Sequence, residues 1–111
     1  MTRTQIAELV GSFGIPTALN HFPADQIRTI APPYIVFDHP EDDDFKADNT
    51  NYLKVDAIYI DLYVETMDFA LIDRIGAALN AAGLVYSRTD TWIDSEQLYQ
   101  IAFSTEAVIT Q

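Results

Sequence analysis

The chain has 111 residues, 49 % hydrophobic and 21 % charged, which fits one globular domain over residues 1–111, and no apolar run nears the ~20 residues of a membrane span. It has no cysteine and its first residues lack the apolar core of a signal peptide, so we expect a cytoplasmic protein without disulfides or thiolate metal sites. With 17 acidic and 6 basic residues the formal charge is -11, which argues against tight binding of nucleic acid.

The first predicted element is an amphipathic helix. Thr2 and Gln5 have the spacing of a capping box, and apolar residues follow at helical intervals: Ile6, Leu9, Val10 and Phe13. Gly14 can adopt the left-handed conformation that ends a helix, so we expect the helix to stop there. Residues 17–22 are weakly patterned and are predicted as a short edge strand.

A second strand is predicted over residues 34–37, which form a compact apolar run between prolines. The loop over residues 41–51 that follows is longer than a hairpin needs, and its only large apolar side chain is Phe45. Long charged loops often carry function. We therefore predict that Phe45, with the neighbouring acids Asp42, Asp43 and Asp44, contacts a protein partner.

The central strand is predicted over residues 55–65, the longest run of β-branched and aromatic residues. Because side chains alternate along a strand, four apolar residues share one face: Ile58, Ile60, Leu62 and Val64. This face is expected to lie under a helix. The opposite face mixes Tyr59 and Tyr63 with carboxylates, which suits solvent or a protein interface, so both tyrosines are candidate interface residues.

The best-defined helix is predicted after Asp68, which can act as the N-cap, and before Gly83, which can end the helix. Its apolar stripe is Leu71, Ile72, Ile75, Ala78, Leu79 and Ala82. Further strands are predicted at residues 84–86 and 96–104, and residues 90–94 between them contain the only tryptophan. The expected fold is therefore α+β and two-layered, with a mostly antiparallel sheet of four to five strands and helices packed on one face.

No constellation of catalytic residues is apparent. The chain has no Gly-x-Ser-x-Gly motif, no glycine-rich phosphate loop, and its two histidines, His21 and His39, lie beside prolines or turns. The acidic loop is a poor calcium site, because an EF-hand register beginning at Asp42 places Lys46 and Leu53 at ligand positions. We predict no enzyme activity, cofactor or metal.

Several short segments carry a family resemblance. They are Gly14-Ile15-Pro16, Asn20-His21-Phe22, Pro32-Pro33-Tyr34-Ile35-Val36, Phe45-Lys46-Ala47-Asp48-Asn49, Ile60-Asp61-Leu62-Tyr63, Met67-Asp68 and Trp92-Ile93-Asp94-Ser95-Glu96-Gln97-Leu98-Tyr99. In this order and spacing the chain resembles the small tail terminator, or tail completion, proteins of long-tailed phages and prophages. It departs from their usual sequence by the extra acids Glu41, Asp42 and Asp43.

The resemblance implies a structural virion protein without catalysis. Proteins of this family look like α+β domains that close into a ring, commonly of six subunits, which caps the tail tube and joins it to the head. The expected partners are other copies of the chain, the tail tube protein and a head-completion protein, without tight nucleic-acid or membrane binding. The expected locations are the virion tail and, during assembly, the host cytoplasm.

Two other functions fit the composition. An acidic inhibitor of phage or prophage origin that mimics DNA would need carboxylates spread over one surface, whereas here many cluster in the loop at residues 41–51. A small hydrolase would need two carboxyl groups placed for acid–base catalysis, and sequence spacing alone does not identify such a pair in so acidic a chain.

Overall fold

The computed structural model describes residues 2–19, 22, 30–38 and 54–109. Its elements, in chain order, are α1 (Arg3–Gly11), β1 (Thr17–Leu19), β2 (Tyr34–Asp38), β3 (Lys54–Val64), α2 (Phe69–Ala81), β4 (Tyr86–Ile93) and β5 (Leu98–Ile109). The strands form one mixed sheet in the order β1-β2-β3-β5-β4. Only the β1–β2 pair among these strands is parallel, so the predicted α+β class with a mostly antiparallel sheet is confirmed.

The start of α1 has the predicted capping box. The Gln5 amide donates to Thr2 Oγ1 at 3.1 Å, and the Thr2 amide donates to Gln5 Oε1 at 2.8 Å. The helix ends at Gly11, three residues before the predicted stop at Gly14. Ser12 closes the last turn early, since both its amide and its hydroxyl donate to the Leu9 carbonyl oxygen, at 3.2 and 2.6 Å. The predicted left-handed conformation of Gly14 is confirmed by its φ of 77°, in the turn that leads to β1.

β3 is the central strand, as predicted, and lies between β2 and β5. Its four alternate apolar residues, Ile58, Ile60, Leu62 and Val64, are all buried. They belong to one cluster that also contains residues of α1, β2, α2 and β5, among them Ile6, Val10, Ile35, Ile75, Leu79, Ile101 and Phe103. This cluster is the main hydrophobic core, and we call the side of the sheet that contributes to it the apolar face.

The boundaries of α2 are close to those predicted. Asp68 Oδ1 accepts a hydrogen bond from the Leu71 amide at 3.1 Å, and Gly83, with a φ of 81°, follows the C-cap. Gly76 allows a close approach to β4, because a Cβ atom there would overlap the Tyr86 hydroxyl. Arg74 Nη2 donates to the Phe13 carbonyl oxygen at 2.7 Å and so links α2 to the turn after α1.

The C-terminal strands differ from the prediction. A strand is predicted at residues 84–86 alone, but β4 runs continuously from Tyr86 to Ile93. The strand expected at residues 96–104 is instead Leu98–Ile109. Glu96 lies in a turn, since its amide donates to the Ile93 carbonyl oxygen at 3.2 Å. The added length of β5 pairs with the first half of β3, with Thr105 opposite Ile58.

The edge strand predicted at residues 17–22 is confirmed for Thr17–Leu19. It is parallel to β2, with Thr17 beside Ile35, which the sequence did not indicate. The Ile35 amide also donates to the Pro16 carbonyl oxygen at 2.9 Å, so pairing begins one residue before the strand.

Candidate subunit interface

The second side of the sheet carries the two tyrosines that were predicted to form an interface. Register places Tyr59 beside Asp38 and Ser104, and Tyr63 beside Tyr34 and Gln100. Because paired residues point to the same side, these side chains share the side opposite the apolar face. We call this side the tyrosine face; among its residues are Tyr34, Val36, Asp38, Ala57, Tyr59, Asp61, Tyr63, Gln100, Ala102, Ser104, Glu106 and Val108.

Tyr63 belongs to an aromatic group at one end of the tyrosine face. Its ring stacks on Tyr34 with the centroids 5.0 Å apart and the planes 22° apart. Phe22 meets Tyr34 edge-on, with centroids 5.6 Å apart. Phe22, Tyr34 and Leu98 form a second buried cluster, against which Tyr63 packs. Gln100 Nε2 donates to the Tyr63 hydroxyl oxygen at 3.3 Å, so this ring is held from several sides.

The electrostatics of this region follow from its partial burial. Burial raises the pKa of Tyr34 and of Tyr63, and nearby Glu96 adds to both effects. Both phenols therefore stay neutral at physiological pH. Burial also raises the pKa of the Asp61 carboxyl; a hydrogen bond from Gln100 opposes this change and the negative charge of Asp38 adds to it. Ionisation of the Asp61 carboxyl is therefore less favourable in the folded subunit than in water.

Tyr59, in contrast, is 43 % exposed. It lies beside an open groove of about 630 Å³, whose lining also includes Ala57, Val85 and Ser104. Val85 is 87 % exposed, an unusual state for a valine, and Val108 near the end of β5 is 46 % exposed. The tyrosine face therefore has a well-packed end around Tyr63 and an open, partly apolar end around Tyr59.

The structure brings together only part of the predicted interface. Tyr59 and Tyr63 lie on one face of one strand, four residues apart in sequence. The other predicted residues, Phe45, Asp42, Asp43 and Asp44, lie outside the residues that the structure describes. Sequence reasoning missed Tyr34 and Gln100 as neighbours of Tyr63, because their positions depend on strand register. The stacking of Tyr34 on Tyr63 can be recognised only when the register between β2 and β3 is known.

Other kinds of site have little support in the described ranges. Within residues 2–19, 30–38 and 54–109, no group of three or more histidines, aspartates or glutamates could hold a metal ion. The predicted acidic loop and both histidines fall outside these ranges. Neither helix in the part of the chain described is long and apolar enough to cross a membrane.

Comparisons with protein-family models and with curated proteins give no match.

Proposed function

We propose that the protein is a structural phage tail protein, a tail terminator that assembles with its copies into a ring of six on the end of the tail tube. The observation that carries the proposal is the exposure of Tyr59 on the tyrosine face, whereas Ile58, Ile60, Leu62 and Val64 on the other side of the same strand are buried. The sequence resemblance described above supplies the identity of the assembly. No catalytic role is part of the proposal.

An exposed tyrosine in a partly apolar groove is suited to contact between subunits. Tyrosine combines a large apolar ring with a hydroxyl group that can stay hydrogen-bonded, and such residues dominate the binding energy of many interfaces. The groove beside Tyr59 also contains Val85, whose exposure in the isolated subunit leaves apolar area to be covered. We therefore place a subunit contact at this end of the tyrosine face.

We infer that both helices cover the apolar face and leave the tyrosine face to the assembly. Support comes from the main cluster, which combines Ile6 and Val10 of α1 and Ile75 of α2 with buried residues of β3 and β5. The hydrogen bond from Arg74 to the Phe13 carbonyl oxygen also favours two helices on one side. A two-layer subunit of this kind would offer its second sheet face to neighbours.

The negative charge is consistent with a role at the head–tail junction. A formal charge of -11 per chain repels a phosphate backbone, so DNA could pass through a ring of such subunits without binding tightly. The proposed partners are the tail tube protein on one side of the ring and a head-completion protein on the other. The proposed location is the virion tail, with assembly in the host cytoplasm.

The direct test is electron microscopy of tails from the phage or prophage that encodes the chain. Antibody against the protein should label one end of the tail tube, and averaged images of that end should show a six-fold ring. Deletion of the coding sequence should leave tails that do not join heads. Tails that lack the protein, together with normal joining after deletion, would contradict the proposal; tight binding to a DNA-processing enzyme would instead favour the DNA mimic.

A further inference from the structure

β4 is an edge strand that is open to pairing. It spans eight residues, Tyr86–Ile93, and its central residues 87–92 are all exposed. Among the described strands it pairs only with β5, so its outer backbone groups have no strand partner there. The other edge, β1, has only three residues. Proteins usually protect long edges with charged side chains, proline or a bulge; β4 contains no proline, pairs with β5 in an unbroken register, and has two charged residues of opposite sign, Arg88 and Asp90.

We propose that β4 pairs antiparallel with β4 of a second copy of this chain, around a two-fold axis at Thr89. In this register Arg88 lies opposite Asp90 of the partner subunit, and Asp90 lies opposite Arg88 of the partner subunit. Ser87 lies opposite Thr91 of the partner subunit. Opposite charges and hydroxyl pairs are favourable cross-strand neighbours, so the strand is complementary to itself.

The charges select this register over its neighbours. A two-fold axis perpendicular to the sheet keeps both apolar faces on one side and places one residue opposite its own copy. An axis at Arg88 would place two arginines opposite each other, and an axis at Asp90 would place two aspartates opposite each other. Like charges in direct opposition are unfavourable. Axes further along the strand leave fewer residues of β4 paired, whereas the axis at Thr89 pairs residues 86–92 of each copy.

The subunit already holds the two charges in position. Arg88 Nε lies 3.1 Å from Asp90 Oδ1, and Arg88 Nη2 donates to Asp90 Oδ2 at 3.1 Å. Pairing two such strands gives four charges that alternate in sign around the axis. At the end of β4, Trp92 is 43 % exposed and its ring centroid is 4.7 Å from that of Tyr99. The register places Trp92 opposite Tyr86 of the partner subunit, where more of its ring can be covered.

This dimer is independent of the proposed ring. A ring of six requires a head-to-tail contact between different surfaces, whereas pairing of β4 joins the same surface of two copies. The dimer is therefore proposed for the free protein, and its absence would leave the tail-terminator proposal untouched. Both copies carry a formal charge of -11, so tests belong at about 0.15 M salt, where charges more than about 8 Å apart are largely screened.

Cysteine cross-linking tests the register, and the absence of native cysteine makes each introduced thiol unique. Thr89→Cys places two thiols opposite each other, so a short bismaleimide should join two full-length chains rapidly. Thr91→Cys is the matched control, because four residues of strand, about 13 Å, separate it from its own copy along the strand. An equal mixture of Ser87→Cys and Thr91→Cys should form the mixed cross-link. Equal rates for Thr89→Cys and Thr91→Cys would overturn the proposed register.

Sedimentation of charge variants tests the pairing energy. Arg88→Asp should weaken the dimer by about tenfold or more, because two attractive pairs become repulsive. The exchange variant Arg88→Asp/Asp90→Arg keeps the net charge, restores both opposite pairs, and should recover dimerisation. Circular dichroism of each variant confirms that the subunit is folded. A native chain that sediments as a monomer at every concentration, or an exchange variant that fails to recover although folded, would overturn the proposal.

Discussion

The two faces of β3 share one backbone but have different surroundings. Leu62 and Ile60 lie in the main core and are inaccessible to solvent, whereas Tyr59 and Asp61, their neighbours in sequence, lie on the tyrosine face and remain partly open. The apolar face is required for the subunit to fold, since its area is covered within the chain. On the tyrosine face, part of the side-chain area remains exposed to solvent. The comparison separates residues that stabilise the subunit from residues that can join it to others.

The tyrosine face itself is divided. Tyr63 is stacked on Tyr34 and accepts a hydrogen bond from Gln100, while Tyr59 stands next to an open groove. Two tyrosines on the same face of one strand are therefore not equivalent. Tyr63 is partly a structural residue, and we expect Tyr59 to contribute to association alone.

The largest predicted effect is on the apolar face. Leu62→Ala should lower the free energy of unfolding by about 3 kcal/mol, because it removes a buried side chain and leaves a cavity in the core. Tyr59→Ala, three residues earlier on the tyrosine face, should lower it by less than about 1 kcal/mol. Urea denaturation of both variants measures the difference. Similar losses of unfolding free energy for Leu62→Ala and Tyr59→Ala would refute the division between the two faces of β3.

A second prediction concerns the contact between α2 and β4. Gly76→Ala should lower the free energy of unfolding by about 1 kcal/mol, because the added methyl group overlaps the Tyr86 hydroxyl and this outweighs the helix propensity of alanine. Tyr86→Phe in the same chain should recover part of the loss. Gly11→Ala in α1 is the matched control: no atom lies within 4 Å of the new Cβ, so stability should hold or rise. Neutral behaviour of Gly76→Ala would argue against the close contact.

The sequence was most informative where a signal is local. The alternation from Ile58 to Val64 identified the central strand and its buried face, and Asp68 with Gly83 marked both ends of α2. Apart from the end of α1, the errors concern pairing between distant segments. The end of β5, with Thr105 and Ala107, contains small or polar residues, and it becomes a strand because it pairs with β3. Similarly, only register brings Tyr34 and Gln100 to Tyr63, so the packed half of the candidate site could not be predicted.

A smaller effect tests the partial burial of the tyrosine face. The ordinary pKa of an aspartate is 3.8, and burial raises that of Asp61 in the folded subunit. The folded state therefore holds this proton more tightly than the unfolded state, and stability falls as pH rises from 3.8 through the raised pKa.

Asp61→Asn removes the ionisable carboxyl group and with it this loss of stability at higher pH. We expect a gain below about 1 kcal/mol at pH 7, because solvent screens a side chain that is only partly buried. The gain should shrink as pH falls, and urea midpoints across the pH range measure it. Asp73→Asn, an exposed carboxylate on α2, is the matched control for the change in net charge. A gain at Asp61 that is the same at every pH would contradict this account of its carboxyl.

The most direct test of the division between folding and association is Tyr59→Lys, with Phe69→Lys as its control. Phe69 is an exposed aromatic residue, 60 % accessible, on α2 rather than on the sheet, so both variants replace an exposed aromatic ring with lysine. We predict that both melt close to the native protein, since neither ring fills the core. Each variant would then be produced in cells that lack the native copy, and its recovery in purified tails would be measured. The account predicts normal recovery for Phe69→Lys and loss for Tyr59→Lys; an unfolded Tyr59→Lys, or its normal recovery in tails, would contradict it.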